Sequence, residues 1–208
     1  MPVNNQHATP TVSKGWVIDP RLPEHAYLLD HQISGTSYLP GSYLLVQELK
    51  DSANLVSVSY DNLIEINDTS LNNLGWQAAS SGQQDVIDQG NGRKIGSITK
   101  VTKRDEVPFL LKIDTSDHQQ TIESNVLYHR LSEQGNNYLN LFQGISQASI
   151  YGGGAAALCC PDSRLSNEAR IVVLLDCATH ICAMAWDIDS TYVPVSYTHL
   201  TLPTILLV

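Results

Sequence analysis

No apolar run in this 208-residue chain approaches the ~18 residues of a membrane-spanning helix, which argues against a helical membrane protein. Basic residues are scarce: 12 Lys and Arg stand against 21 Asp and Glu, giving a net charge of −9 and a pI near 5.0. Nucleic acid and anionic membrane surfaces need a basic footprint, so both are excluded as partners. The first fifteen residues, MPVNNQHATPTVSKG, lack the apolar core of a signal peptide. The expected location is the cytoplasm. The four cysteines, Cys159, Cys160, Cys177 and Cys182, form no C-x2-C pair, and no histidine lies at zinc-finger spacing. Free thiols are expected, with no metal site and no disulfide framework. No G-x-S-x-G occurs. Ser97 and Lys100 satisfy S-x-x-K but have no partner motif and fall in a predicted strand. Gly152-Gly153-Gly154 lacks the spacing and the lysine of a phosphate loop, and reads as a turn between two strands.

Hydrophobic residues make up 42% of the chain, enough for a substantial core. Trp16-Val17-Ile18 predicts a first strand, and residues 19–27, with two prolines, a loop. Leu55 to Tyr60 alternates as a strand does, and Asn62 to Asn67 reads as a further extended piece. Residues 68–92 are rich in Asn, Ser, Gln, Gly and Asp, which predicts irregular structure pinned by Trp76. Gly90-Asn91-Gly92 marks a turn into a strand from Lys94 to Val101, and Val107 to Ile113 predicts the next strand. Arg93, Lys94, Lys100, Lys103 and Arg104 form a basic cluster that reads as the solvated face of a hairpin or as a docking spot for an acidic partner. Ile171 to Leu175 reads as a buried strand, followed by a helix that begins at Asp176.

One stretch organises the rest: His31 to Lys50, HQISGTSYLPGSYLLVQELK. Pro40 disfavours helix at Leu39 and suits the first turn of a helix after it. Leu44, Leu45, Val46 and Leu49 then supply an apolar run with an i, i+4 pair. The expected arrangement is an extended segment carrying His31, a turn near Gly35, and a buried helix starting near Pro40. It aims a histidine across a helix N-terminus, whose free N–H groups suit a carbonyl that becomes an oxyanion. A second constellation is Leu174-Leu175-Asp176-Cys177-Ala178-Thr179-His180. Asp176 and His180, four apart, share one helix face and can hydrogen-bond.

These residues resemble the dehydratase domains of polyketide synthases. H-x3-G-x4-P over His31, Gly35 and Pro40 is similar to that family's first catalytic motif. Tyr128, Leu131, Gly135, Tyr138, Phe142, Gln143, Gly144 and Ile145 resemble its "YxxLxxxGxxYGPxFQGI" segment, with Leu139 and Asn140 in place of the usual Gly-Pro. Asp176 and His180 resemble its "LLDxxxQ/H". The resemblance implies an α+β double hotdog, two antiparallel sheets each wrapped on a central helix. A lead-in would occupy residues 1–15, the first hotdog 16–113, a linker 114–125, and a partial second hotdog 126–194. Residues 195–204 resemble the read-through translation of a sequencing-library adapter, so 195–208 are expected to be adapter-derived and the second hotdog incomplete.

The resemblance implies dehydration of a 3-hydroxyacyl thioester. His31 would be the base and Asp176 the acid, protonated at rest in an apolar pocket. Gly35, Pro40, Gly41 and His180 would support them, and Tyr138 and Phe142 would line the substrate tunnel. It implies no metal or organic cofactor, since the substrate arrives on the phosphopantetheine of an acyl carrier protein. Implied partners are that carrier, neighbouring synthase domains and a second copy as a homodimer. Related double hotdogs imply the alternatives: a product-template cyclase, an isomerase or a degenerate module.

Overall fold

The computed structural model describes residues 14–50, 55–79, 83–101, 115–152, 154–185 and 196–200. Strand β1 (Lys14–Ile18) leads through the short helix α1 (Pro23–Ala26) and a 3₁₀ turn to a hairpin, β2 (His31–Ile33) and β3 (Thr36–Ser37). Helix α2 (Gly41–Lys50) follows, then β4 (Leu55–Tyr60), β5 (Asn72–Ala78), β6 (Gln83–Asp88) and β7 (Arg93–Val101). The second half holds β8 (His118–Glu123), α3 (Ser124–Glu133), β9 (Asn136–Tyr138), β10 (Ile145–Tyr151), β11 (Gly154–Cys159), α4 (Asn167–Ala185) and β12 (Ser196–Leu200).

Six antiparallel strands in the order β1-β5-β6-β7-β4-β12 pack on α2. Every residue of that helix from Ser42 to Leu49 is buried, Gln47 and Glu48 included. A three-stranded sheet, β11-β10-β8, packs on α4, and α2 lies against α4. Two antiparallel sheets, each wrapped on its own helix, make a double hotdog whose second sheet is partial. The third sheet, β3-β2-β9, joins the halves and sets His31 directly opposite Tyr138.

The β2–β3 hairpin turns through Ser34 at φ 50° and Gly35 at φ 82°. Two successive positive φ values are those of a tight primed turn, and glycine adopts them without a Cβ penalty. The Ser34 N–H donates to the Gly135 carbonyl at 2.7 Å, so the turn is also held by the second half. Pro40 then starts α2, and Gly41 contributes the first backbone N–H of the helix.

Four expectations need correction. Residues 68–92 are not irregular: they hold β5 and β6 inside the large sheet. Only Leu74, Gly75, Trp76 and Val86 turn inward there, so the polar outward positions hide the period. Trp76 does pin the region, edge-on to Trp16 with ring centroids 4.6 Å apart. Ile171 to Leu175 is helix, because α4 begins at Asn167. A continuous apolar run has no period to distinguish a buried strand from a buried helix. Asp176 therefore sits in mid-helix, without help from an N-terminal dipole. Residues 19–27 are not wholly loop, since α1 lies among them with Pro23 at its start.

Part of the stretch read as a linker, 114–125, carries β8, which pairs with β10. Residues 62–67 are extended but make only an isolated bridge, Tyr38 with Glu65. Ser196–Leu200, in the stretch read as adapter-derived, pairs with β4 at the sheet edge. The strand expected at Val107 to Ile113 lies outside the described residues.

Gly144 marks the tightest approach of the β10 end to α4. A Cβ added there would lie 2.7 Å from Cys177 Sγ and 2.8 Å from Val173 Cγ1, both on buried side chains. Gly144→Ala should cost about 1–3 kcal/mol by overpacking, read as a fall in thermal midpoint. An unchanged midpoint would show that α4 can shift freely.

Candidate active site

His31 is 8% exposed and Asp176 1% exposed, and the first half of the chain supplies one and the second half the other. His31 Nε2 lies 3.7 Å from Asp176 Oδ2. His31 Nδ1 lies 2.8 Å from the Tyr38 carbonyl oxygen. A carbonyl only accepts, so Nδ1 carries the proton and Nε2 presents its lone pair toward Asp176. Phe142 meets the ring edge-on with centroids 5.3 Å apart, and Tyr138 lies tilted against it at 5.4 Å. Burial pushes the imidazole below its ordinary value, against the opposing pull of the Asp176 charge, which favours the neutral base near pH 7.

Asp176 Oδ2 accepts from His180 Nε2–H at 2.9 Å. The i, i+4 spacing on α4 is what allows this. Burial pushes the Asp176 carboxyl up, while His31, the His180 hydrogen bond and the buried Ser42 hydroxyl pull it down. The downward pull prevails, so the carboxyl sits below its ordinary value. The expectation of a carboxyl raised by an apolar pocket is thereby corrected: the polar groups packed around it outweigh desolvation.

A cavity opens beside the two groups. Gly41, Tyr60 and Tyr138 line it, with Leu39, Leu44 and Ile95 as apolar wall. Tyr60 donates its hydroxyl to the Gly41 carbonyl, fixing the first turn of α2 at the cavity edge. A larger cavity of about 300 Å³ lies between Trp16, His25, Tyr43 and Lys50, and contains none of the predicted site residues. We place the site by its chemistry, in the smaller cavity.

His31, Pro40, Gly41, Tyr138, Asp176 and His180 are thus brought together around α2, β2 and α4. Gly35 acts at a distance, through the turn that aims β2. Phe142 does not line the cavity: it is fully buried, stacked on Tyr27 with centroids 5.8 Å apart, and lies beneath His31. Its ring packs against the His31 ring rather than against the cavity. Asp30, next to His31 in the chain, is engaged elsewhere: its carboxylate accepts the Leu141 N–H at 3.0 Å. His118 and His129 are exposed, while His25 is half-buried and accepts the Asp19 N–H. In the basic cluster, Lys94 is tied to Asp85 at 3.0 Å and Asp61 at 3.5 Å. Among the described residues no group of three His, Cys, Asp or Glu is placed to hold a metal ion. All four cysteines are free thiols.

Sequence reasoning missed three contributors. The Tyr38 carbonyl fixes the His31 tautomer, and a backbone role leaves no residue signature. Ser42 belongs to the first turn of α2, and nothing in that stretch shows that its hydroxyl acts on Asp176. Tyr128 was legible as part of its motif, but its contact with His180 spans 52 positions.

The fold and the buried His–Asp pair define a double-hotdog domain with an acid–base site. Residues 106–204, a little under half the chain, match the model of the polyketide synthase dehydratase N-terminal domain. The matched part contains Asp176 and His180. No curated protein matches the chain. Among solved structures, the chain resembles the dehydratase domain of a mycocerosic acid synthase-like polyketide synthase: TM-score 0.70, 15% identity, covering 88% of this chain and 73% of that one. It resembles the dehydratase domain of the CurK module of curacin polyketide synthase: TM-score 0.68, 20% identity, 90% and 78% covered. It also resembles the PpsC dehydratase domain from Mycobacterium tuberculosis, solved with C12:1-CoA: TM-score 0.66, 15% identity, 91% and 79% covered. Two further CurK dehydratase structures are of inactive mutants, one Asp to Asn and one His to Phe. The chain as a whole thus has the fold of polyketide synthase dehydratase domains, and residues 106–204 match that family's model.

Proposed function

We propose that this domain removes water from a 3-hydroxyacyl thioester carried on the phosphopantetheine of an acyl carrier protein, leaving the 2-enoyl thioester. The observation that carries this reading is the pairing of His31 Nε2 and Asp176 Oδ2, 3.7 Å apart beside one apolar cavity. His31, neutral and held by the Tyr38 carbonyl, takes the C2 proton. The electron pair forms the C2–C3 double bond, and the C3–O bond breaks. The proton gained by His31 passes across the 3.7 Å gap to the Asp176 carboxylate, which hands it to the departing hydroxyl. Atoms balance: one C–H and one C–O bond break, and water leaves. The Gly41 N–H, at the positive end of α2, is placed to receive charge building on the thioester carbonyl. We assign His31, Asp176 and Gly41 to the chemistry, and Pro40, His180 and Tyr138 to support. Inactive Asp and His mutants of the CurK relative support the pair, and the acyl-CoA complex of PpsC supports an acyl thioester.

The reaction as written uses no metal or organic cofactor. The carrier protein, neighbouring synthase domains, a second copy of the chain and a cytoplasmic setting belong to the same proposal. The test is direct: the chain is incubated with a 3-hydroxyacyl thioester and loss of water is followed by mass spectrometry. Enoyl thioester upholds the reading. Turnover confined to a poly-keto chain would instead point to a cyclase, and no turnover of either to a non-catalytic module.

A pH profile checks the base. The base must be neutral, so kcat/KM should rise with pH through the His31 titration. Burial lowers that titration, so the acid limb should fall below the ordinary imidazole value of 6.5. A limb above that value would remove His31 from the role.

A further inference from the structure

Tyr128 is buried at 5% exposure, on the far side of His180 from the substrate cavity. Its ring meets the His180 ring edge-on, with centroids 5.7 Å apart. Its hydroxyl oxygen accepts the Ile145 N–H at 2.9 Å and lies 3.4 Å from His180 Nδ1. Tyr138 covers the His180 face at 3.8 Å. Burial pushes the Tyr128 phenol up, so it keeps its proton. With the Ile145 N–H on its oxygen, the phenol has one proton to give, and of its two neighbours, His180 Nδ1 and the Cys177 sulfur, the imidazole nitrogen is the stronger acceptor.

We propose that Tyr128 is a positioning residue that holds His180 in the Nε2–H tautomer and so keeps the proton of Asp176 free for the substrate. This rests on the dehydratase reading above. A hydroxyl donating to Nδ1 leaves the ring proton on Nε2. Nε2–H then occupies Asp176 Oδ2 as a donor, at 2.9 Å. When Asp176 holds the proton it is to deliver, that proton cannot point at His180. It is left to face His31 and the cavity. Without Tyr128 the ring can move its proton to Nδ1, and Nε2 becomes an acceptor that draws the Asp176 proton away from the reaction. Tyr128 thus acts through two other side chains and touches no reacting atom.

The test is Tyr128→Phe in the whole chain, with two readouts. The first is the nitrogen chemical shifts of the His180 ring in the absence of substrate, which report the tautomer whether or not the chain is active. Wild type should show a single Nε2–H form, and Tyr128→Phe a mixture that gains the Nδ1–H form as Asp176 is protonated. The second is a double-mutant cycle with His180→Gln, whose amide donates to Asp176 but has no tautomers. Tyr128→Phe should lower kcat about 10-fold with KM unchanged beside His180, and have no further effect beside Gln. An Nε2–H ring unchanged in Tyr128→Phe would overturn the proposal. So would an equal loss of kcat in both backgrounds, which is what a purely structural tyrosine would give. A chain inactive on every thioester would remove the dehydratase reading, while the ring shifts still decide the role of Tyr128.

Discussion

Replacing His31 with Ala should lower turnover of a 3-hydroxyacyl thioester by about 10²–10⁴-fold, the range a general base contributes. The substitution removes Nε2, the lone pair that faces Asp176 at 3.7 Å. It also strands the Tyr38 carbonyl, which loses its partner at 2.8 Å. An unpaired buried carbonyl costs about 1–3 kcal/mol, so the protein should remain folded while its chemistry fails. Thermal melting separates the two effects: a cooperative transition only slightly lowered, with turnover gone, is the expected pair of results. Retention of more than about a tenth of the wild-type rate would remove His31 as base. The base must be neutral before the substrate arrives. Burial favours that state and outweighs the upward pull of the Asp176 charge and the Tyr38 hydrogen bond, which fixes the tautomer.

The second large effect is on stability. Phe142→Ala should cost about 3–5 kcal/mol, as removing a buried aromatic does, and lower the thermal midpoint by roughly 6–20 °C for a chain of this size. Phe142 is fully buried, stacked on Tyr27 and edge-on to His31 at 5.3 Å. The cavity left behind lies against the His31 ring, so on the proposed reading kcat should fall even at temperatures where the variant is folded. Phe142→Leu keeps more of the volume and should lose less of both. A tunnel-wall residue would behave differently, with KM rising for long acyl chains and the midpoint nearly unchanged. That pattern would overturn the placement found here and restore the sequence expectation.

The division between what was legible and what was not follows range. The hairpin at Ser34-Gly35 and the start of α2 at Pro40 were legible because positive φ and a fixed φ are carried by single residues. Asp176 and His180 were legible as a pair because helical spacing alone brings them together. The start of α4 was not legible, since Ile171 to Leu175 is apolar at every position and shows no period. Strands β5 and β6 were missed for the opposite reason. Their polar faces outnumber the few inward residues, and neighbouring strands on each side impose the extended form.

By itself, then, the sequence determined the three motif segments and the identity of the paired groups, and through their resemblance to a family the class of fold. Each motif is a short stretch of chain, where backbone geometry is dictated locally. Only the tertiary structure decided that His31 and Asp176, 145 positions apart in the chain, face each other at 3.7 Å. It alone decided that the carboxyl is pulled down rather than raised, and that Phe142 supports the ring from beneath. Electrostatic balance and burial depend on which side chains converge from distant segments. Convergence of that kind is a property of the β3-β2-β9 join and the α2–α4 contact, and no single stretch of the chain encodes it.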